Sequence, residues 1–141
     1  MIIIDATDLI MGRFATVAAK HALLGEQVRV VNCAKAVISG RKEYIFAEAK
    51  RKRDMGTHVR GPFKNRMPDR YVRRVIRGML PTQATRGREA FKRVMCYIDT
   101  PDELKGKPVI QVPGANADKL PTVKKVTVGD ICKHLGANWN E

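Results

Sequence analysis

The stretch IIIDATDLIMGRFATVAAKHALLGEQVRVVN, residues 2–32, determines the fold class of this 141-residue chain. It begins with an apolar strand at Ile2–Ile4 and ends with a valine-rich strand at Gln27–Asn32. Between the strands, residues recur at the spacing of one helix face: Phe14, Val17, Ala18, His21 and Leu24. Gly25 is suited to cap this helix at its C-terminal end. A strand, a helix and a second strand in this order predict a β-α-β unit with parallel strands.

Three further helices are predicted from propensity or apolar periodicity, at Lys42–Met55, Asp69–Leu80 and about Arg86–Val94. A strand is predicted at Met95–Ile98, whereas the apolar Ala36–Ser39 fits either a strand end or a loop packed on the core. A last helix begins at Thr127, because Thr127 and Asp130 occupy the positions of a capping box. No repeat, low-complexity run or linker interrupts the sequence. We therefore predict a single α/β domain over residues 1–141.

The positive charge is concentrated in the middle of the chain. The sequence has 27 Lys and Arg against 14 Asp and Glu, which gives a formal net charge of +13. Fifteen of these cations and three of the acids lie in residues 50–93, so this segment carries +12 of the net charge. Eleven of the fifteen cations are arginines, whose planar guanidinium binds phosphate bidentately and stacks on bases. Residues 50–93 are therefore interpreted as an RNA-facing segment.

The predicted helix at Asp69–Leu80 has two chemically distinct faces. Apolar residues at helical spacing form a stripe for the core: Val72, Val75, Ile76 and Met79. The remaining arc carries four arginines: Arg70, Arg73, Arg74 and Arg77. A solvated surface helix usually mixes its charges, whereas like charges at this spacing repel by about 0.2–0.5 kcal/mol per pair. We therefore favour a nucleic-acid contact over a merely solvated face.

The segment before this helix, residues 56–68, combines glycine, proline and basic residues without apolar periodicity. A loop of this length in one domain is usually functional or disordered, so we expect it to become ordered on RNA. His58, Phe63 and Tyr71 are available to stack on unpaired bases. For Tyr71 and Phe91, packing against the core is the preferred interpretation.

No catalytic set can be assembled from the sequence. Neither G-x-G-x-x-G nor G-x-x-x-x-G-K-[ST] occurs, so Gly12 alone is weak support for a phosphate-binding loop. Asp5 and Asp8 could form a metal pair, but we favour a role in shaping the turn before Gly12. His21 is interpreted as a core histidine. The acids at 99, 102 and 103 have no His or Cys nearby, so we predict no catalytic residues, cofactor or metal, and no small-molecule substrate.

Cysteine spacing and hydropathy argue against a zinc-binding, secreted or membrane protein. Cys33, Cys96 and Cys132 lack zinc-binding spacing and are predicted to be reduced, mostly buried thiols of a cytoplasmic protein. No stretch approaches the roughly 20 apolar residues of a membrane span, and the N-terminal residues lack the basic region of a signal peptide. A membrane-surface helix is not favoured, because the apolar face of the helix at 69–80 is needed for the core.

Several short motifs, taken in order, resemble one protein family. The N-terminal motifs are Asp5-Ala6, Gly12-Arg13-Phe14-Ala15-Thr16-x-Ala18, Val31-Asn32-Cys33, Gly40 with Lys42, and Arg60-Gly61-Pro62. The most specific part is Pro68 leading to Ile76-Arg77-Gly78-Met79-Leu80-Pro81, then Arg86-Gly87-Arg88 and Lys92 to Tyr97. The sequence resembles the universal large-subunit ribosomal protein thirteen family in its archaeal or eukaryotic cytoplasmic form. The resemblance is firm over residues 1–100 and weak beyond them, where Thr100-Pro101-Asp102-Glu103 replaces the bacterial pattern.

The resemblance implies a three-layer α/β/α domain around a small, mostly parallel four-stranded sheet. It also implies direct binding to large-subunit rRNA during early assembly without a cofactor, in cytoplasmic ribosomes and beside other large-subunit ribosomal proteins. All candidate RNA-binding residues lie in the basic segment: Lys50, Arg51, Lys52, Arg53, His58, Arg60, Phe63, Lys64, Arg66, Arg70, Arg73, Arg74, Arg77, Arg86, Arg88 and Lys92.

Overall fold

A computed structural model describes residues 1–139 and confirms the β-α-β unit. The strands β1 (Ile2–Asp5) and β2 (Val28–Val31) pair in parallel, and α1 (Met11–Leu23) connects them. Gly25 follows α1 at a φ of +99°, a conformation that favours glycine at a helix end.

The rest of the chain adds three short strands and four helices in the described part. They are β3 (Val37–Ser39), α2 (Lys42–Asp54), α3 (Pro68–Gly78), α4 (Thr85–Arg93), β4 (Val94–Cys96), β5 (Lys125–Thr127) and α5 (Val128–His134). The predicted bounds of α2, α3, α4 and β4 are correct to within two residues. The Thr127 hydroxyl caps α5 as expected, since it accepts a hydrogen bond of 3.1 Å from the Asp130 N–H.

The expectation of one four-stranded sheet is wrong. The main sheet has three parallel strands in the order β1-β2-β4, and β3 forms a separate antiparallel pair with β5. Ala36–Ser39, left open between strand and loop, thus contributes β3, and its partner β5 was not predicted at all. An isolated bridge between Ile10 and Val37 links β3 to the segment that follows β1.

The two faces of the main sheet are covered differently. One face joins the apolar residues of α1, α3, α4 and α5 in the main core through Ile2, Ile4, Val28, Val30, Val94 and Cys96. On the opposite face, Ile3 and Val31 pack with Leu104 and Tyr97. Leu104 belongs to a 3-10 turn at 102–104. The resemblance implied a second layer of helices on this face of the sheet. Among the described residues, the 3-10 turn at 102–104 covers it instead.

The burial of α3 and α4 fixes the basic segment on the body of the protein. Val72 and Ile76 of α3 and Ala90 of α4 are fully buried, whereas Met79, predicted on the same stripe, is 41% exposed. A Cβ atom at Gly87 in α4 would lie 2.0 Å from the Pro81 carbonyl oxygen. Because a side chain at residue 87 would clash with the Pro81 backbone, the connection between α3 and α4 requires glycine at this position.

We predict that Gly87→Ala lowers the free energy of unfolding by about 1–3 kcal/mol, because the added methyl group forces the backbone at Pro81 to move. Gly78→Ala is the matched control, since a Cβ there meets nothing within 4 Å. That variant should keep its stability or gain up to about 1 kcal/mol from helix propensity. Urea denaturation of both variants is the measurement, and equal stabilities would contradict the close approach at Gly87.

Candidate nucleic-acid interface

The four arginines of α3 line one shallow cleft. Because Val72 and Ile76 face the core, the opposite side of α3 turns its guanidinium groups outward. Phe63 of the preceding loop and Phe91 of α4 form the walls of this cleft, which has a volume of about 560 Å³. The arginine face expected from helical spacing is confirmed as a face, and here it is called the arginine cleft: Arg70, Arg73, Arg74 and Arg77 with Phe63, Asn65 and Phe91.

Two of these arginines are also part of the fold. The Arg73 Nε donates a hydrogen bond of 3.0 Å to the Val94 carbonyl oxygen of β4. The Arg73 guanidinium carbon lies 4.4 Å from the ring centroid of Phe91, in a cation–π contact. Arg74 donates to the Phe63 carbonyl oxygen at 3.1 Å. Arg73 and Arg74 are therefore held in place and half-buried, whereas Arg70 and Arg77 are exposed.

A second group of cations lies beside the cleft, between α2, the loop and α3. Lys52, Lys64 and Arg74 line a cavity of about 220 Å³, and no carboxylate lies among its described lining residues. Partial burial, together with the nearby charges of Arg74 and Lys52, lowers the pKa of Lys64. The structure thus brings three predicted residues from separate elements to one place, and Arg74 belongs to both groups.

Three of the four cations in the basic run at the end of α2 already have hydrogen-bond or ion-pair partners within the protein. Glu48 accepts contacts of 2.7 Å from Arg51 and 3.2 Å from Lys52, and these hydrogen bonds lower the pKa of Glu48 to about 2. Arg53 donates to the Leu135 carbonyl oxygen at 3.2 Å. Glu48 was missed because the charge count began at Lys50, although its helical spacing to Arg51 and Lys52 was available.

The remaining predicted residues are exposed but do not all share one surface. The side chains exposed in the loop and on α4 are His58, Arg60, Phe63, Arg66, Arg86, Arg88 and Lys92, as is Lys50 on α2. Phe63 is 68% exposed and lines the arginine cleft. Arg86 lines a different groove, between α1 and Met79. The arginine cleft and the cations beside it therefore form the candidate interface, whereas Arg86 lines a separate groove.

The structure confirms most of the other expectations about single residues and corrects one of them. Tyr71 and Phe91 pack against the core as expected, and the three cysteines are buried and unpaired. Asp5 shapes its turn, since its Oδ1 accepts hydrogen bonds from Thr7 and Asn32. Burial alone would raise the pKa of Asp5, but these hydrogen bonds outweigh it and lower the pKa. The prediction of a core histidine at residue 21 is wrong, because that side chain is partly exposed and pairs with Glu26.

Neither a metal centre nor a membrane span is found in residues 1–139. The described part of the chain contains no group of three or more His, Cys, Asp or Glu side chains that could hold a metal ion. No helix within it is long and apolar enough to cross a membrane.

A family model described as Ribosomal protein L13 matches residues 1–103. The chain belongs to this family. L13 proteins are structural ribosomal components and not enzymes, in agreement with the prediction from the motifs. In this L13 chain the specific run at the end of α3 has structural roles: Arg77 lines the cleft, Leu80 is buried, and the Pro81 carbonyl contacts Gly87.

Archaeal L13 proteins match almost the whole chain. The large ribosomal subunit protein uL13 of Methanococcoides burtonii is 43% identical over 139 residues, which cover 99% of this chain and 100% of that protein. The uL13 of Haloarcula marismortui is 44% identical over 97% of this chain and 92% of its own length. For Archaeoglobus fulgidus the identity is 39%, over 95% and 86%. These matches extend the L13 similarity past residue 103, where the motifs alone were weak.

We predict that Arg73→Ala lowers the free energy of unfolding by about 1–2 kcal/mol, because it removes the donor to Val94 and the contact with Phe91. Arg77→Ala, the matched control in the same cleft, should change stability by less than about 0.5 kcal/mol. Thermal or urea unfolding distinguishes the two. A loss at Arg77 as large as at Arg73 would show that the exposed arginines are structural as well.

Proposed function

We propose that this L13 chain is a structural constituent of the large ribosomal subunit in the cytoplasm and binds large-subunit rRNA through the arginine cleft. By doing so it supports subunit assembly and translation, beside neighbouring large-subunit ribosomal proteins. Its archaeal relatives are large ribosomal subunit proteins by name, which supports a place in the large subunit. The observation that carries the RNA contact is the convergence of four arginines and two aromatic rings in one open cleft.

Phosphate binding follows from the way the guanidinium groups are held. Arg73 and Arg74 each use one N–H on a backbone carbonyl, which fixes the orientation of the donors that remain. Arg70 and Arg77 lie on the same helix face and are exposed, so they can reach phosphates on either side. Such contacts fix the position of the protein on the RNA without reading its sequence.

The aromatic walls add a second kind of contact. Phe63 is exposed at the edge of the cleft and presents a ring on which an unpaired base can stack. Phe91 is half-buried and already carries Arg73 over its ring. Selectivity for one RNA site therefore depends on its folded shape and on a base that reaches Phe63, since RNA is recognised mainly through such features.

Repulsion among the cations favours the bound state. Lys64 is disfavoured in its charged form by burial and by Arg74 and Lys52. A phosphate group between them removes this repulsion, because each cation then faces an opposite charge.

We predict that Arg70→Gln/Arg77→Gln flattens the log–log salt dependence of binding to a large-subunit rRNA fragment by about 1.5 units, since each lost phosphate contact removes roughly 0.7–0.9. Lys107→Gln/Lys119→Gln is the control with the same loss of charge, because both lysines are exposed and lie outside the cleft and the groove of Arg86. Binding is measured across a salt series, with melting curves for each protein. Equal slopes for the two variants would place the contact elsewhere.

Crosslinking of the native particle tests the function without any variant. Ultraviolet irradiation followed by peptide and RNA sequencing should join Phe63 or its neighbours to large-subunit rRNA, because this exposed ring is free to stack on a base. Crosslinks confined to other proteins or to the small-subunit rRNA would contradict the proposal.

We expect residues 56–67 to exchange their amide hydrogens rapidly in the free protein and slowly on RNA. The hydrogen bonds of this loop are local, as between Thr57 and Arg60, or rely on the Arg74 side chain at Phe63. Hydrogen exchange with and without the rRNA fragment measures the change, and α1 serves as the internal reference. Strong protection of the loop in the absence of RNA would contradict this expectation.

A further inference from the structure

A further cluster of cations, separate from those in and beside the arginine cleft, lies at the opposite end of α2 from Lys50–Arg53. Antiparallel pairing of β3 with β5 places Ser39 opposite Lys125, and the Gly40 N–H donates to the Lys124 carbonyl oxygen at 2.9 Å. Four cations from these two distant parts of the sequence line one open cleft of about 540 Å³. This cluster is called the α2 N-terminal patch: Arg41, Lys42, Lys124 and Lys125.

The patch is held rigidly by its surroundings. Gly40 has a φ of +138°, and a Cβ atom there would lie 3.1 Å from the Ile45 side chain, so the turn before Arg41 is suited to glycine. The Lys42 Nζ lies 5.3 Å from the ring centroid of Phe46, which itself stacks on His134 at 4.5 Å. The backbone and one of the four side chains are therefore preorganised before any partner binds.

The charges of the patch are not balanced locally. Glu43 is the one acid among the described residues that line the cleft. None of the ion pairs found in residues 1–139 involves Arg41, Lys124 or Lys125. Arg41 and Lys42 also lie at the end of α2 where the helix dipole disfavours positive charge. The free protein thus retains an electrostatic cost that an anionic partner would offset.

We propose that the α2 N-terminal patch is a second rRNA-binding site that holds the phosphate backbone, separate from the arginine cleft. This inference rests on the proposed function and adds a site to it. Three of the four cations are lysines, which act as point charges on phosphate, whereas protein–protein interfaces are depleted in lysine. An RNA backbone therefore fits the patch better than an acidic protein segment.

The location of the patch gives the two sites independent contributions to binding. No described residue lines both the patch and the arginine cleft, because the patch is built from residues 40–43 and 123–125 and the cleft from α3 with Phe63, Asn65 and Phe91. Substitutions without shared partners add in free energy. Loss of both sites should therefore flatten the salt dependence by the sum of the two single effects.

The test is a triple variant, Arg41→Gln/Lys124→Gln/Lys125→Gln, which removes three charges and keeps the length of the side chains. Its matched control is Lys35→Gln/Lys107→Gln/Lys119→Gln, three exposed lysines that do not line the patch, the arginine cleft or the groove of Arg86. Both are bound to large-subunit rRNA fragments across a salt series, alone and combined with Arg70→Gln/Arg77→Gln. Melting curves verify folding, and Arg41→Lys, which keeps the charge, should bind like the unchanged protein.

The expected result is a salt slope flatter by about two units for the patch variant than for its control, and additive with the cleft variant. A slope equal to that of the control, while the cleft variant still flattens it, overturns the second site and leaves the proposed function intact. The patch would then face something other than RNA, such as an acidic protein segment. Absence of salt-dependent rRNA binding by the unchanged protein would overturn both proposals.

Discussion

The burial of Val72 and Ile76 is the constraint on which the basic surface of this protein depends. Both side chains are fully buried in the main core, and together they allow α3 only one rotation about its axis. Because side chains on a helix are fixed relative to one another, this rotation also determines where Arg70, Arg73 and Arg77 point. The apolar stripe thus stabilises the fold and also determines the direction in which the charged side chains of the opposite face point.

The same helix shows how closely the fold and the candidate interface are joined in a small domain. Arg73 spans from α3 to β4 and lies over Phe91 of α4, so one side chain links the cleft to the sheet. Arg74 similarly ties α3 to the loop at Phe63. An arginine used in this way gives up some freedom in the unbound protein, and in return less entropy is lost when a ligand binds. Half of the cleft is therefore arranged in advance, while Arg70 and Arg77 remain adaptable.

The features that the sequence could predict are those encoded by local spacing. The β-α-β unit, the faces of α3 and the capping residue Thr127 all depend on residues a few positions apart, and all are found in the structure. The β3–β5 pair could not be foreseen, because each strand has three residues and the pairing joins distant segments. For the same reason Lys124 and Lys125 were not assigned to a basic surface, although they lie beside Arg41 and Lys42. Counting charge by segment also hid Glu48, whose effect depends on helical geometry.

The distance in sequence between β3 and β5 also sets an order in time. During synthesis, residues 1–96 contain every strand of the main sheet and every residue of the arginine cleft. β3 waits for its partner until residue 127 has been made, and the four cations beside that pair come together only then. The residues of the arginine cleft are therefore all made before β3 gains its partner, although a domain folds as a unit and α5 adds Val128 and Cys132 to the core on which α3 packs. The growing chain thus contains the residues of one basic surface well before those of the other.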